Sequence, residues 1–200
     1  ELSYLADRPV AHGRNYEIHA VRWRTFERLD GEGLLLEPKS KAHAQIIALP
    51  DADQTPEDLT GIEKGHKNAF AARLAQNGCR VLIPAITDRA CTHSGLAGVR
   101  MSNLPHREFI YRAAFELGRH LIGFEIQKVL AAIDGFSSGP IGVIGYGEGG
   151  LLALYAAALD QRIQATAVSG YFRNRQTLWR EPIYRNVFGL LEEFGDAEIA

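Results

Sequence analysis

The sequence predicts an α/β fold: a three-layer α/β/α sandwich whose mostly parallel sheet is opened by an antiparallel hairpin. Three observations support this prediction. Short apolar runs alternate with helical patterns along most of the chain, which is typical of a parallel sheet. The N-terminal part instead shows an alternating strand, a turn signal and a second short strand. A cluster of glycines joins a buried strand directly to a helix within residues 140–160.

Composition limits the class of protein. The chain has 200 residues, of which 46% are hydrophobic and 23% charged, as expected for one globular domain. A net charge of -2 gives no basic surface for nucleic acid, and no apolar run approaches the roughly 18 residues of a membrane helix. We therefore expect a soluble domain without nucleic-acid or membrane partners. The chain starts at Glu1 instead of Met, which raises the expectation of export.

The first elements in order are N-terminal strands. Residues 1–15 lack periodicity and are predicted to be an irregular leader to a single domain over 16–200. Tyr16–Phe26 alternates between polar and apolar side chains, which predicts an edge strand. Residues 29–33 carry a turn signal, and Leu34–Leu36 is the predicted partner strand.

The middle of the chain alternates between strand and helix. Ala44–Leu49 is a predicted buried strand that ends in the acidic loop 50–53. A helix follows at His66–Gln76, and then a second buried strand at Val81–Ile86. Residues 87–105 form a long loop without a hydrophobic period, and such loops are often lids or binding segments.

The two cysteines are predicted to be free thiols. Cys79 and Cys91 lie on either side of the strand at Val81–Ile86. An extended strand of that length separates its ends by roughly 20 Å, which is beyond the reach of a disulfide.

The longest helical pattern runs from Arg107 to Phe136, and Gly118 and Gly123 weaken it enough to predict a bend. Residues 172–200 are predicted to be loop and short helices.

Between these segments, Ile141–Ile144 is a short strand, four glycines follow it, and Leu151–Leu159 is a strong helix. The next predicted strand is Ile163–Val168.

The glycine-rich turn matches two known patterns. Gly145-Tyr146-Gly147-Glu148-Gly149 fits the nucleophile elbow G-x-S-x-G, except that Gly147 stands where the hydroxyl belongs. The same segment also fits the dinucleotide pattern G-x-G-x-x-G. That alternative is weaker, because the next strand contains no acid for a ribose and Glu148 would face a pyrophosphate. A purely structural tight turn is the third possibility.

With this order of elements, the chain resembles the α/β-hydrolase superfamily and, within it, the dienelactone-hydrolase and acetyl-xylan-esterase-like branch. Three stretches carry the resemblance: LPDAD at 49–53, FAARLAQNGCRVLIP at 70–84 and VIGYGEGGLLALYAAALD at 143–160. The resemblance places the nucleophile position at Gly147. It also implies oxyanion donors at the backbone amides of Glu148 and of Asp51 or Ala52.

The acid and the His of the family's triad come from loops after later strands, so the resemblance predicts them beyond Ala200 and a fold that is C-terminally incomplete. None of the chain's histidines occupies the expected place of the base; they are His12, His19, His43, His66, His93, His106 and His120.

Three other groups are weaker candidates for chemistry. Asp51, Asp53 and Glu148 have the ligand type of a divalent-cation site, but solvated loop acids are the simpler interpretation. The loop segment 91–94 (CTHS) brings a thiol and an imidazole together only as neighbours in sequence. The arginines within 173–185 are suited to hold an anionic substrate, but acidic residues balance them, so a solvent-facing surface is the simpler interpretation.

The predicted function is that of an α/β-hydrolase-fold protein related to carboxylic-ester hydrolases that lacks ordinary serine-hydrolase activity. It requires no metal or other cofactor, and its expected partner is a small ester or carboxylate. A non-catalytic binding or interaction domain that uses the remaining oxyanion pocket is the alternative. An active module completed by a longer polypeptide is the third hypothesis.

Overall fold

The computed structural model describes residues 2–62, 69–101, 103–136 and 139–200 of the chain. Eight strands and seven α-helices lie in these ranges. The strands are β1 (Leu2–Tyr4), β2 (Ala11–His12), β3 (Tyr16–Phe26), β4 (Leu29–Pro38), β5 (Ala44–Leu49), β6 (Cys79–Pro84), β7 (Ile141–Tyr146) and β8 (Ile163–Ser169). The helices are α1 (Pro56–Thr60), α2 (Phe70–Gln76), α3 (His106–Glu116), α4 (Leu121–Ile133), α5 (Glu148–Leu159), α6 (Leu190–Glu193) and α7 (Asp196–Ile199). Two 3-10 helices, Arg175–Arg180 and Ile183–Arg185, cross the C-terminal segment.

All strands belong to one mixed sheet of order β1-β3-β4-β6-β5-β7-β8, with β2 paired to β3. Strands β3, β4 and β6 pair antiparallel, whereas β6, β5, β7 and β8 run parallel to one another. The carboxyl ends of the parallel strands therefore meet at one edge, where ligands bind in α/β folds. This topology confirms the predicted α/β fold with its antiparallel N-terminal hairpin.

Two cores on opposite faces of the sheet give the fold its three layers. Leu35 of β4 faces the core that helices α4 and α5 cover, while Leu36 faces the core under α1 and α2. Successive strand residues point to opposite faces, so a strand buried on both sides is apolar throughout. None of the helices in the described ranges is long and apolar enough to cross a lipid bilayer.

The N-terminal region differs from the prediction. Residues 1–15 were expected to be irregular, but β1 and β2 both pair with β3, so β3 has partners on both sides and is not an edge strand. Residues 29–33 lie inside β4, and the hairpin turns earlier, at 27–28. A Cβ at Gly33 would overlap the Ile83 carbonyl oxygen, so this glycine serves close strand approach instead of a turn.

The long helix predicted from Arg107 to Phe136 is two helices, α3 and α4. Helix α3 ends in a Schellman motif: the Arg119 amide donates to the Ala114 carbonyl and the Gly118 amide to the Phe115 carbonyl, each at 2.9 Å. Gly118 adopts the left-handed conformation this motif requires, with φ 66°. The predicted weakness at Gly118 is therefore a complete break.

Smaller differences concern the ends of other elements. The helix predicted at His66–Gln76 is described from Phe70 onward, and residues 63–68 lie outside the described ranges. Strand β6 ends at Pro84, two residues before the predicted end, because proline lacks the amide that continues a ladder. It also begins two residues before the predicted Val81, since Cys79 and Arg80 pair with β5. Cys79 and Cys91 are free, as predicted.

Candidate functional site at the elbow

The elbow joins β7 to α5 at the carboxyl edge of the sheet. Gly147 stands between them with φ 58° and ψ -118°, a backbone that residues with a side chain adopt only under strain. Its amide donates to the Ser169 carbonyl at 2.9 Å, which ties the turn to the end of β8. The predicted strand, sharp turn and helix are confirmed.

The glycines around Gly147 let α5 approach the sheet closely. A Cβ at Gly145 would overlap the Gly149 carbonyl oxygen, and a Cβ at Gly149 would overlap the Leu49 carbonyl oxygen. A Cβ at Gly150 would lie 2.7 Å from the Ser169 carbonyl oxygen. Close packing between helix and strands therefore explains these three glycines without a nucleotide.

The Asp51 carboxylate occupies the space beside Gly147. A Cβ at residue 147 would overlap Asp51 Oδ1 and lie 2.6 Å from its Cγ. The Glu148 amide, which the resemblance identified as an oxyanion donor, donates to Asp51 Oδ1 at 2.8 Å. The Asp51 amide itself donates to Gln54 Oε1 at 3.0 Å. All four residues named from the sequence (Gly147, Glu148, Asp51 and the buried Ala52) thus lie together, and the anion that the Glu148 amide holds is the protein's own carboxylate.

The environment of Asp51 stabilises its charged form. Burial acts to raise the pKa of its carboxyl, but hydrogen bonds from Arg89 and from the amides of Glu148 and Ala52 outweigh burial. The pKa of Asp51 is therefore below its ordinary value. The carboxylate is ionised at neutral pH.

Arg89, which sequence reasoning missed, is the centre of the site. It lies in the long loop after β6 and donates to both carboxylate oxygens of Asp51, each at 3.0 Å. The same guanidinium reaches Asp53 at 2.7 Å and Glu148 Oε1 at 3.1 Å, while its Nε donates to the Tyr184 hydroxyl at 3.0 Å. Asp51, Asp53 and Glu148 do come together, as a cation site would require, but around a guanidinium.

A second layer of charge lies beneath Arg89. Arg107 is fully buried and donates to both oxygens of the buried Glu125, at 2.9 and 2.8 Å. Arg185 donates from Nε to Glu148 Oε1 at 2.7 Å and also pairs with Glu181. We call these groups the elbow charge cluster: Arg89, Arg107 and Arg185 with Asp51, Asp53, Glu125, Glu148 and Glu181. It has fewer cations than anions.

Glu148 is incompletely paired within this cluster. The side chain is fully buried, and among the described residues its Oε2 atom has no hydrogen-bond partner. Arg107 Nη2 lies 3.7 Å from this oxygen, close enough for an ion pair but too far for a hydrogen bond. The other carboxylate oxygen of Glu148, Oε1, accepts hydrogen bonds from both Arg89 and Arg185. These two cations therefore provide most of the compensation for the buried charge of Glu148.

The remaining sequence candidates lie outside the cluster or have structural partners. The Ser94 hydroxyl donates to the Val99 carbonyl at 2.7 Å, and Cys91 is exposed. The His93 amide donates to His106 Nε2 at 2.9 Å. Of the arginines within 173–185, the expected solvent-facing role is wrong for Arg185, because its side chain is nearly buried in the cluster.

A signal for the missed arginines was present in the sequence. Glu148 sits between an apolar strand and an apolar helix, where a carboxylate is buried and must be paired. Its partners Arg89, Arg107 and Arg185 come from a loop, a helix and the C-terminal segment. The local sequence pattern shows that Glu148 needs cationic partners, but it does not show which residues provide them.

Comparisons with known proteins address the family and the fold of the chain. The model of the dienelactone hydrolase family matches residues 33–182. No curated protein matches the chain.

Among solved structures, a Bacteroides fragilis protein assigned as an acetyl xylan esterase superposes with a TM-score of 0.64 at 17% identity, covering 83% of this chain and 47% of its own. Acetyl xylan esterase 1 from Thermoanaerobacterium sp. JW/SL YS485 gives 0.62 at 14% identity, covering 97% and 61%. A glucuronoyl esterase from Solibacter usitatus gives 0.54 at 12% identity, covering 83% and 50%.

At these identities the three superpositions show a shared fold. The chain spans less than two thirds of the length of each of these proteins. The family match covers the hairpin partner strand, the acidic loop, the elbow and the Arg89 loop. On this match, the chain is a member of the dienelactone hydrolase family.

Proposed function

We propose that this chain is a dienelactone-hydrolase-family domain that does not hydrolyse esters at its elbow. One observation carries the proposal: residue 147 is a glycine, and the Asp51 carboxylate fills the space that a side chain there would need. Covalent ester hydrolysis requires an attacking oxygen or sulfur on that side chain.

The surrounding charges also oppose this chemistry. An oxyanion hole stabilises developing negative charge with donors that point into free space. Here the Glu148 amide already donates to Asp51, and a substrate oxyanion would have to displace a carboxylate that Arg89 holds through two further hydrogen bonds.

Asp51 is also unsuited to act as the nucleophile itself. Both of its oxygens accept hydrogen bonds from Arg89, and one of them also accepts from Glu148. An attack would require breaking these charge-assisted hydrogen bonds, each of which contributes about 1.5–3 kcal/mol.

The direct test is an ester-hydrolysis assay with 4-nitrophenyl acetate. We expect no saturable turnover above that of a heat-denatured sample, and no change on Asp51→Asn or Glu148→Gln. Saturable turnover that either substitution abolishes would contradict the proposal, because it would assign catalysis to the groups we describe as structural.

Binding of a small carboxylate or ester by the elbow amides, without turnover, is the alternative. The contact between Asp51 and the Glu148 amide makes it less favourable, because the ligand must first displace Asp51. Calorimetry with acetate distinguishes the proposed function from this alternative. Saturable binding of acetate to the native chain, in place of Asp51 at the Glu148 amide, would favour the alternative.

A further inference from the structure

A large groove lies away from the elbow, between α4, α5 and the C-terminal helices. Its volume is about 960 Å³, at the upper end of small-molecule sites. The lining is mainly apolar and includes Phe26, Phe124, Leu159, Val187, Phe194 and Ile199. It contains no member of the elbow charge cluster, so an inference about it does not depend on the proposed loss of hydrolysis.

The walls of the groove expose apolar side chains that a folded domain usually buries. Leu159 is 66% exposed, and Phe194 is 49% exposed. Phe26 and Phe124 form an edge-to-face pair with ring centroids 5.8 Å apart, which fixes part of one wall. A contiguous apolar surface of this kind marks a binding site more often than isolated exposed residues do.

Gly123 supplies a second, independent observation. It lies in the first turn of α4 and lines the groove, and a Cβ added there would meet no atom within 4 Å. Its φ is not in the left-handed region, so neither backbone conformation nor packing requires glycine. Glycine is a poor helix former. The position therefore has room for a side chain that would extend into the groove.

The charged groups of the groove indicate the head group of the ligand. Arg119 lines the groove just before α4. Its guanidinium donates to the Gly118 carbonyl at 3.3 Å and has no carboxylate partner in the described ranges. Glu198, the acid in the lining, accepts the Gly195 amide at 2.8 Å, and His120 Nε2 accepts the Phe188 amide at 3.1 Å. The cation that remains available is Arg119.

We propose that this groove binds an amphiphilic monocarboxylate, a linear fatty acid, with its chain against the apolar walls and its carboxylate at Arg119. The apolar lining provides the affinity through burial of the chain. Arg119 selects the acid over a neutral molecule of the same length.

Calorimetric titration with decanoate and with 1-decanol tests this assignment. Decanoate should bind saturably at one site. Gly123→Phe on α4 and Ala158→Phe on α5 should each weaken binding at least tenfold while the melting temperature stays equal or rises. Gly123→Ala is the matched control and should bind like the native chain. Arg119→Gln should weaken decanoate binding about fivefold and leave 1-decanol binding unchanged.

Two results would overturn the proposal. One is the absence of saturable decanoate binding, or binding that both Phe variants leave unchanged. The other is a dimer in sedimentation velocity that Gly123→Phe converts to a monomer, since the groove would then be occupied by a second copy of the chain.

Discussion

Restoring a hydroxyl at the elbow by Gly147→Ser should be much more costly with Asp51 present than without it. Two terms contribute in the native background. A side chain at φ 58° introduces strain of about 1–3 kcal/mol. The new Cβ would also overlap Asp51 Oδ1, so Asp51 must give up at least one charge-assisted hydrogen bond, at about 1.5–3 kcal/mol.

The expected loss of unfolding free energy is therefore about 2.5–6 kcal/mol for Gly147→Ser in the native chain. In an Asp51→Ala background only the strain remains, about 1–3 kcal/mol. The coupling between the two positions is then about 1.5–3 kcal/mol, within the range for residues in contact. Urea denaturation of the four proteins of this double-mutant cycle measures it.

Gly118→Ser is the matched control for backbone strain. Gly118 has φ 66°, and a Cβ there would meet nothing within 4 Å. It should show the strain term alone and no coupling to Asp51→Ala. If Gly147→Ser costs the same in both Asp51 backgrounds, within about 0.5 kcal/mol, Asp51 does not fill the nucleophile's space and the reasoning is wrong.

The same double variant tests the hypothesis of an active module. Gly147→Ser with Asp51→Ala, made in the longest natural polypeptide that contains this chain, should be assayed on 4-nitrophenyl acetate. Gain of hydrolysis would indicate that the rest of a catalytic machinery is present. Continued inactivity would indicate that the acid and the base have been lost as well.

Three further predictions concern charge and thiols. Because the folded-state pKa of Asp51 is lowered, its contribution to stability is present above its ordinary pKa and is lost as pH falls through the folded value. Urea denaturation should therefore show that lowering the pH from about 5 to about 2 destabilises the native chain more than the Asp51→Asn variant. Arg107→Ala should lower the unfolding free energy by about 3–5 kcal/mol, because it leaves the buried Glu125 without its ion-pair partner. The double variant Arg107→Met with Glu125→Met should lower the unfolding free energy clearly less. Equal losses for the two variants in urea denaturation would contradict this prediction. Only Cys91 should react quickly with Ellman's reagent in the folded protein, because Cys79 is buried and burial raises the pKa of its thiol; rapid reaction of two thiols would be the opposite result.

Much of the fold could be predicted because its signals are local. The apolar run at Ile141–Ile144, the glycines and the Ala/Leu-rich helix each determine their own conformation, and together they predict the elbow. At Gly33 the sequence alone could not distinguish a turn from the close approach of β4 to β6, because glycine is favoured in both situations. The break of the helix at Gly118 could not be predicted, because it depends on the hydrogen bonds of the Gly118 and Arg119 amides, and hydrophobic periodicity does not reveal these.

The candidate site could be predicted only in part, for a related reason. Gly147, Glu148, Asp51 and Ala52 follow from the resemblance and do lie together. The orientation of Asp51 does not follow from it, because the carboxylate and the Glu148 amide are 97 residues apart in sequence. The cations come from similarly distant segments, and an arginine in a loop is usually a surface residue.

The contact between Asp51 and Glu148 also explains how the fold remains stable with glycine at the elbow. A helix begins with backbone amides that have no partner within the helix, and an N-cap side chain usually accepts one of them. Gly147 is the N-cap residue of α5 and has no side chain to do so. Asp51 supplies the missing acceptor from another segment, and its negative charge interacts favourably with the helix dipole. Arg89 then neutralises Asp51 and helps to pair the buried Glu148. Glycine at the elbow, aspartate in the acidic loop and arginine in the following loop therefore act as one structural unit.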